Sequence, residues 1–136
     1  HRTNGEVYGR DGCRVPLPWE ADAPAFGFNA TGASWLPQPA EWSAIARDAQ
    51  EGDPASTLEL YRAALALRAE HGLGSGAVSW IDLGDDVVAF RNGAVTVIAN
   101  LGAGAVELPA GEVLLASGPL DGRAVPTDTT VWVRAE

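Results

Sequence analysis

Residues 87–100 read VVAFRNGAVTVIAN, and this stretch decides the fold. Val87–Arg91 is a β-branched and aromatic run. Asn92-Gly93 is the dipeptide favoured in type I′ turns, and Ala94–Asn100 returns with the same residue types. The segment is a predicted hairpin. Further period-two runs lie at Val78–Asp82, Ala105–Leu108, Glu112–Ser117 and Thr130–Arg134, separated by Gly, Pro and Asp clusters. Six or so short antiparallel strands at this spacing predict a small sandwich over residues 76–136. Val87, Ala89, Val95, Val97, Trp132 and their neighbours are its candidate core.

Upstream of the strands the period changes to that of a helix, predicted over residues 53–72. Asp53 is the expected N-cap, Pro54 the first helical residue, and Gly72 the left-handed residue after the last turn. Leu58, Tyr61, Leu65 and Arg68 form one stripe, widened by Leu60, Ala64 and Leu67. Residues 1–52 have a different texture. Prolines at 16, 18, 24, 37 and 39 and glycines at 5, 9, 12, 27 and 32 break any period, apart from one weak helical turn near Glu41–Arg47. Trp19, Trp35, Trp42, Phe26 and Phe28 bring large apolar area that wants cover, so an ordered loop is expected.

Composition bounds the function. The chain has 136 residues, one domain's worth, with 46% apolar and 20% charged. Nine arginines face eighteen acids, for a net charge of −9, which makes nucleic acid and anionic membranes poor partners. No apolar run spans a bilayer and no segment reads as a secretion signal. A chain that starts at His1, with no methionine and no lysine, is expected to be a piece of a longer, GC-rich-encoded product. The lone Cys13 excludes an intramolecular disulfide, favours the cytoplasm, and is expected as a small buried side chain. His1 and His71 lie far apart, so no metal site and no cofactor are expected.

The most distinctive string is Gly9-Arg10-Asp11-Gly12-Cys13-Arg14-Val15-Pro16-Leu17-Pro18-Trp19. Two arginine forks flanking one aspartate beside tryptophan suit a sugar pocket. On residue types alone, an Arg–Asp bridge that pins a loop is the commoner use of the same residues.

Residues 9–19 resemble the RDGxRxPMxW stretch of α-glucosidases and oligo-1,6-glucosidases in the α-amylase superfamily, glycoside hydrolase family 13. Gly27-Phe28, Trp35-Leu36-Pro37, Ala49-Gln50, Asp53-Pro54-x-Ser56-x-Leu58-x-Leu60-Tyr61-Arg62 and Leu67-Arg68 continue the resemblance in order. Val15 and Leu17 stand where Thr and Met are commoner, as in the actinobacterial variant, and weigh against trehalose synthase-type glucosyl transfer.

The resemblance implies the end of a (β/α)8 barrel followed by an antiparallel β-sandwich, domain C. Residues 1–52 would be the loop after barrel strand 8, 53–73 the last barrel helix, and 76–136 domain C. It implies a retaining enzyme acting on terminal α-linked glucose in maltose-type or sucrose-type α-glucosides, whose catalytic carboxylates precede His1. No residue of this chain takes that role, and Asp82, Asp85 and Asp86 read as solvated turn residues. Arg10 corresponds to the arginine that grips hydroxyls of the terminal glucose, with Asp11 beside it. Asp11 and Arg14 would pair to hold the loop, and Trp19 would pack beneath it. Trp35, Trp42, Trp80 and Trp132 are expected in core or interface, and the helix stripe is expected to need the preceding barrel as its partner. Asn29-Ala30-Thr31 matches a glycosylation acceptor that the bacterial composition discounts. Two other readings are a stand-alone carbohydrate-binding module, which needs aromatics in a row on one sheet face, and a purely structural cap.

Overall fold

The structure is a computed structural model that describes residues 13–135. Its chain divides into two compact units, His1–Glu59 and Leu60–Glu136.

The described part of the first unit is mostly irregular, as its prolines dictate. A tight turn spans Pro24–Gly27, a 3-10 segment Ala40–Ile45, and a single turn of helix, α1, Arg47–Gln50. Ala25 (φ 48°), Phe26 (φ 49°) and Gly27 (φ 72°) are three consecutive left-handed residues. For the two that carry a Cβ this costs on the order of 1–2 kcal/mol each.

Helix α2, Thr57–Glu70, begins later than the sequence suggested. Asp53 does not cap it. Its carboxylate accepts from the Ala55 amide at 2.9 Å, and its carbonyl accepts from the Ser56 amide at 2.9 Å, closing a turn instead. Ser56 is the cap, its Oγ accepting from the Glu59 amide at 3.2 Å, while Gln50 Oε1 accepts from the Leu58 amide at 3.2 Å. Ser56-x-x-Glu59 has the capping-box spacing, but the Glu59 carboxylate accepts from the Gly52 amide at 2.9 Å.

In the second unit the end of α2 follows expectation. Gly72 is left-handed (φ 63°), the Leu73 amide donates back to the Arg68 carbonyl at 3.0 Å and that of Gly72 to Ala69 at 3.3 Å. This is the Schellman pattern. Leu60, Ala64, Leu67 and His71 are half-buried, whereas Tyr61 and Leu65 stay 64% and 63% exposed. The helix therefore buries only half of its apolar stripe.

Seven strands follow among the described residues: β1 Val78–Ile81, β2 Val87–Asn92, β3 Val95–Asn100, β4 Val106–Glu107, β5 Glu112–Ala116, β6 Ala124–Val125 and β7 Thr129–Arg134. A five-stranded antiparallel sheet has the order β1-β2-β3-β7-β5, and β4 pairs with β6 in a second, two-stranded sheet. Ala89, Ile98 and Val131 are register partners on one face, where Leu108 and Val125 pack against them. This makes a small, unequal sandwich.

The register corrects the expected core. The hairpin turn is Gly93-Ala94, because Asn92 pairs with Val95, and Gly93 alone takes a positive φ (60°). A positive φ at only the first central residue is the II′ arrangement. Each one-residue change of register flips a strand's faces. Val87 and Ala89 therefore face the small sheet, while Val95, Val97 and Trp132 point to the opposite side. Ala89 and Val95 of the expected set are fully buried, and the neighbours Ile98, Val131 and Val133 complete the enclosed face with Leu108 and Val125.

Asn100 ends β3 on the core face and is fully buried. Its amide nitrogen donates to Gly104 O at 2.7 Å and Val125 O at 2.9 Å, and its Oδ1 accepts from the Gly102 amide at 3.0 Å. One side chain thus joins the large sheet, a loop and the small sheet. Asn100→Ala would leave buried backbone groups unpaired and should cost about 2–4 kcal/mol. An unchanged urea midpoint in that variant contradicts this role. Gly111 (φ 138°) is a second fixed point, since a Cβ there would lie 2.2 Å from the Arg134 carbonyl oxygen. Gly111→Ala should detach β5 from β7, read as accelerated amide exchange along Glu112–Ala116.

Candidate functional site

Arg10 and Asp11, the two residues of the sequence-derived sugar site, lie outside the described residues. The structure does describe how the downstream half of their motif is held. Pro16 and Pro18 are buried, while Cys13, Arg14, Val15, Leu17 and Trp19 are exposed. The expected burial of Cys13 is therefore corrected: flanking a proline-rich extended segment, its thiol faces outward. The alternation is what an extended chain gives when one side is packed.

Four backbone hydrogen bonds anchor this segment. The Trp19 and Glu20 amides both donate to the Phe26 carbonyl, at 2.9 and 3.1 Å. The Arg47 amide donates to the Pro18 carbonyl at 3.0 Å, and the Asp48 amide to the Trp19 carbonyl at 3.1 Å. The Asp48 carboxylate then accepts from the Ala21 amide with both oxygens, at 3.0 and 3.2 Å. Sequence reading missed Asp48, because nothing local links it to a residue 27 positions earlier. Ala46, fully buried, closes the same corner.

Beyond the anchor, Phe26 and Trp35 border an open cavity of about 630 Å³, with Ser34 and Gln38 among its polar groups. The Gln38 Nε2 donates to the Ala25 carbonyl at 3.3 Å, and the Ser34 hydroxyl donates to the Leu36 carbonyl. Trp35 is 97% exposed. Of the expectation that it lies in core or interface, the core is excluded among the described residues: Pro37 and Pro39 keep its segment off any regular element that would bury it.

A second aromatic grouping lies on the large sheet. Trp80 pairs with Phe90, Phe90 with Val97, and Val97 with Trp132, so three aromatics run in a row across one face. Trp80 and Phe90 meet edge-to-face, 5.7 Å between centroids at 71°. Trp80 is 75% exposed, and Phe90, Val97 and Trp132 share a cavity of about 150 Å³ with Arg68 and Leu73. Sequence reading placed these aromatics alternately inward. The register puts them together, and the edge position of β1 leaves Trp80 uncovered.

Among the described residues no three His, Cys, Asp or Glu side chains come together as metal ligands. No helix among them is long and apolar enough to cross a membrane.

What this arrangement defines is an antiparallel β-sandwich preceded by a helix and an aromatic, proline-rich loop. Comparison with known proteins narrows it. No family model matches the chain. Over 83 residues, 60% of this chain, it is 40% identical to a "Probable alpha-glucosidase" of Rhizobium meliloti (strain 1021). The matched stretch covers 15% of that protein's length. The chain is thus related in sequence to a glycosidase and spans a small part of it.

If Asp48 anchors the motif, Asp48→Ala should lower stability by about 1 kcal/mol, the low figure reflecting its exposure. Asp48→Asn, which keeps one acceptor, should lose less. Equal denaturation midpoints for all three proteins contradict the anchor.

Proposed function

We propose that the chain is the C-terminal portion of a retaining α-glucosidase of the α-amylase superfamily, of actinobacterial type. Its substrates are terminal α-linked glucosides of maltose or sucrose type. In this reading residues 1–52 are the loop after barrel strand 8, residues 53–73 the last barrel helix, and residues 76–136 domain C. The observation that carries it is the 40% identity to a probable alpha-glucosidase, of which the chain covers only a fraction. The helix adds support. Tyr61 and Leu65 form an apolar ridge left open, as an outer barrel helix has before its barrel is present.

Retaining glycosidases use two carboxyl groups about 5–5.5 Å apart, one as nucleophile and one as acid and then base. Both belong to sequence upstream of this chain. The chain's part is binding. Arg10 donates to the hydroxyls of the terminal glucose, and Asp11 with Arg14 keeps its loop in place. A guanidinium in that position closes the pocket at the non-reducing end, so single end units are removed.

One observation favours a second reading, a carbohydrate-binding face on the sandwich. Trp80, Phe90 and Trp132 stand in the row that such a face needs. Helix residue Arg68 and Leu73 flank the inner part of that row, leaving Trp80 as its open end.

A charged donor to a buried hydroxyl contributes about 1.5–3 kcal/mol. Arg10→Ala in the intact enzyme should therefore lower kcat/KM on maltose by about 10- to 100-fold. Wild-type kinetics in that variant contradict the assignment of Arg10. Binding of maltose that depends on Trp80, with no hydrolysis by the intact protein, favours the second reading.

A further inference from the structure

We propose that the cavity bordered by Phe26 and Trp35 is a binding site for a neutral sugar ring. This rests on the α-glucosidase reading for the identity of the ring, a glucosyl unit of an oligosaccharide other than the one Arg10 holds.

The chemistry of the lining selects the ligand. Among the described residues around the cavity none is charged, and the lining they give is neutral. Two aromatic side chains offer apolar faces, and the Trp35 indole is almost wholly open to an incoming ring. The polar groups keep hydrogen-bonding capacity. Ser34 donates its hydroxyl hydrogen to the Leu36 carbonyl and Gln38 donates one amide hydrogen to the Ala25 carbonyl, which leaves Ser34 Oγ and Gln38 Oε1 able to accept and the second Gln38 amide hydrogen able to donate. A purely apolar ring would cover these acceptors without pairing them. A pyranose has both requirements in one body: C–H faces for the aromatics and hydroxyl donors for the acceptors.

The walls are also preorganised. The left-handed Ala25 and Phe26 are held by bonds from Phe26 N to Ala23 O at 2.9 Å, Phe28 N to Ala25 O at 3.1 Å, and Gln38 to Ala25 O. Backbone strain that neighbouring hydrogen bonds over-determine is a feature of ligand clamps. A volume of about 630 Å³ also falls in the size range of small-molecule sites.

The test titrates the intact protein with maltotriose, by calorimetry and tryptophan fluorescence, in wild type, Trp35→Ala, Trp35→Phe and Trp80→Ala. Trp35→Phe keeps an aromatic ring, and equal urea midpoints of the variants confirm that each retains the fold. Trp35→Ala should weaken maltotriose binding about three- to tenfold, Trp35→Phe less, and Trp80→Ala not at all. KM for maltotriose should rise in Trp35→Ala, with Trp35→Phe closer to wild type. Unchanged maltotriose affinity and KM in Trp35→Ala, with hydrolysis intact, overturn the cavity site and leave the enzyme reading standing. Loss confined to Trp80→Ala overturns it in favour of the sheet face. Trp35-dependent binding without any hydrolysis supports the site and removes the α-glucosidase reading.

Discussion

The row Ala89–Ile98–Val131 is the constraint from which the second unit is built. These three residues occupy the centre of one sheet face and are almost completely enclosed. A sheet face of this size cannot remain in water, because each fully buried aliphatic side chain contributes about 1.5–3 kcal/mol when covered. The chain has only a short second sheet to cover it, so Leu108 and Val125 must land on one place. Asn100 fixes that place by exchanging its three hydrogen bonds with the loop and with β6. Register, turn and loop all follow from keeping these groups paired. The opposite face then inherits Val95, Val97, Trp132, Phe90 and Trp80, which explains its aromatic row without any separate cause.

The first unit solves a different problem. It has almost no regular structure to satisfy its backbone, so isolated side chains and carbonyls do so. Phe26 O takes two amides, Asp48 takes the Ala21 amide, and the start of α2 uses Gln50, Ser56 and Glu59. The result is a loop with a fixed shape and an uncovered aromatic surface. Such a division of labour, polar groups satisfied internally and rings left outward, suits a segment that presents side chains to a ligand.

Much of the strand pattern was legible from alternation alone, since Val, Ile and Thr runs leave few other choices for β2, β3 and β7. The core was legible in part: Ala89 and Val95 are fully buried, while Val97 and Trp132 lie on the opposite face from Ala89. Asn92-Gly93 pointed to one turn type, and Gly93-Ala94 adopts another. The parity of Asn100, buried two residues from Ile98, marks the enclosed face. The helix end at Gly72 was readable because only glycine takes that φ without strain. The start was misread because Asp53 and Ser56 are both good caps, and the choice depends on Gln50 and Gly52, which no local rule weighs. β6, two residues long, carries no period at all. As for the site, the motif at residues 9–19 announced itself by residue type. The cavity at Trp35 did not, because its walls meet only after an unusual left-handed turn at Ala25 and Phe26.

The chain's sequence relationship with a probable alpha-glucosidase covers 15% of that protein. In the proposed reading Arg10 holds the terminal sugar, and the sandwich supports the loop that carries it. The most direct measurement is a crystal structure of the intact protein with a glucose-like inhibitor in the active site. The account predicts the Arg10 guanidinium within about 2.7–3.2 Å of hydroxyls on the terminal sugar ring. An Arg10 turned away from the sugar, with no part of residues 9–19 reaching the ligand, would contradict it.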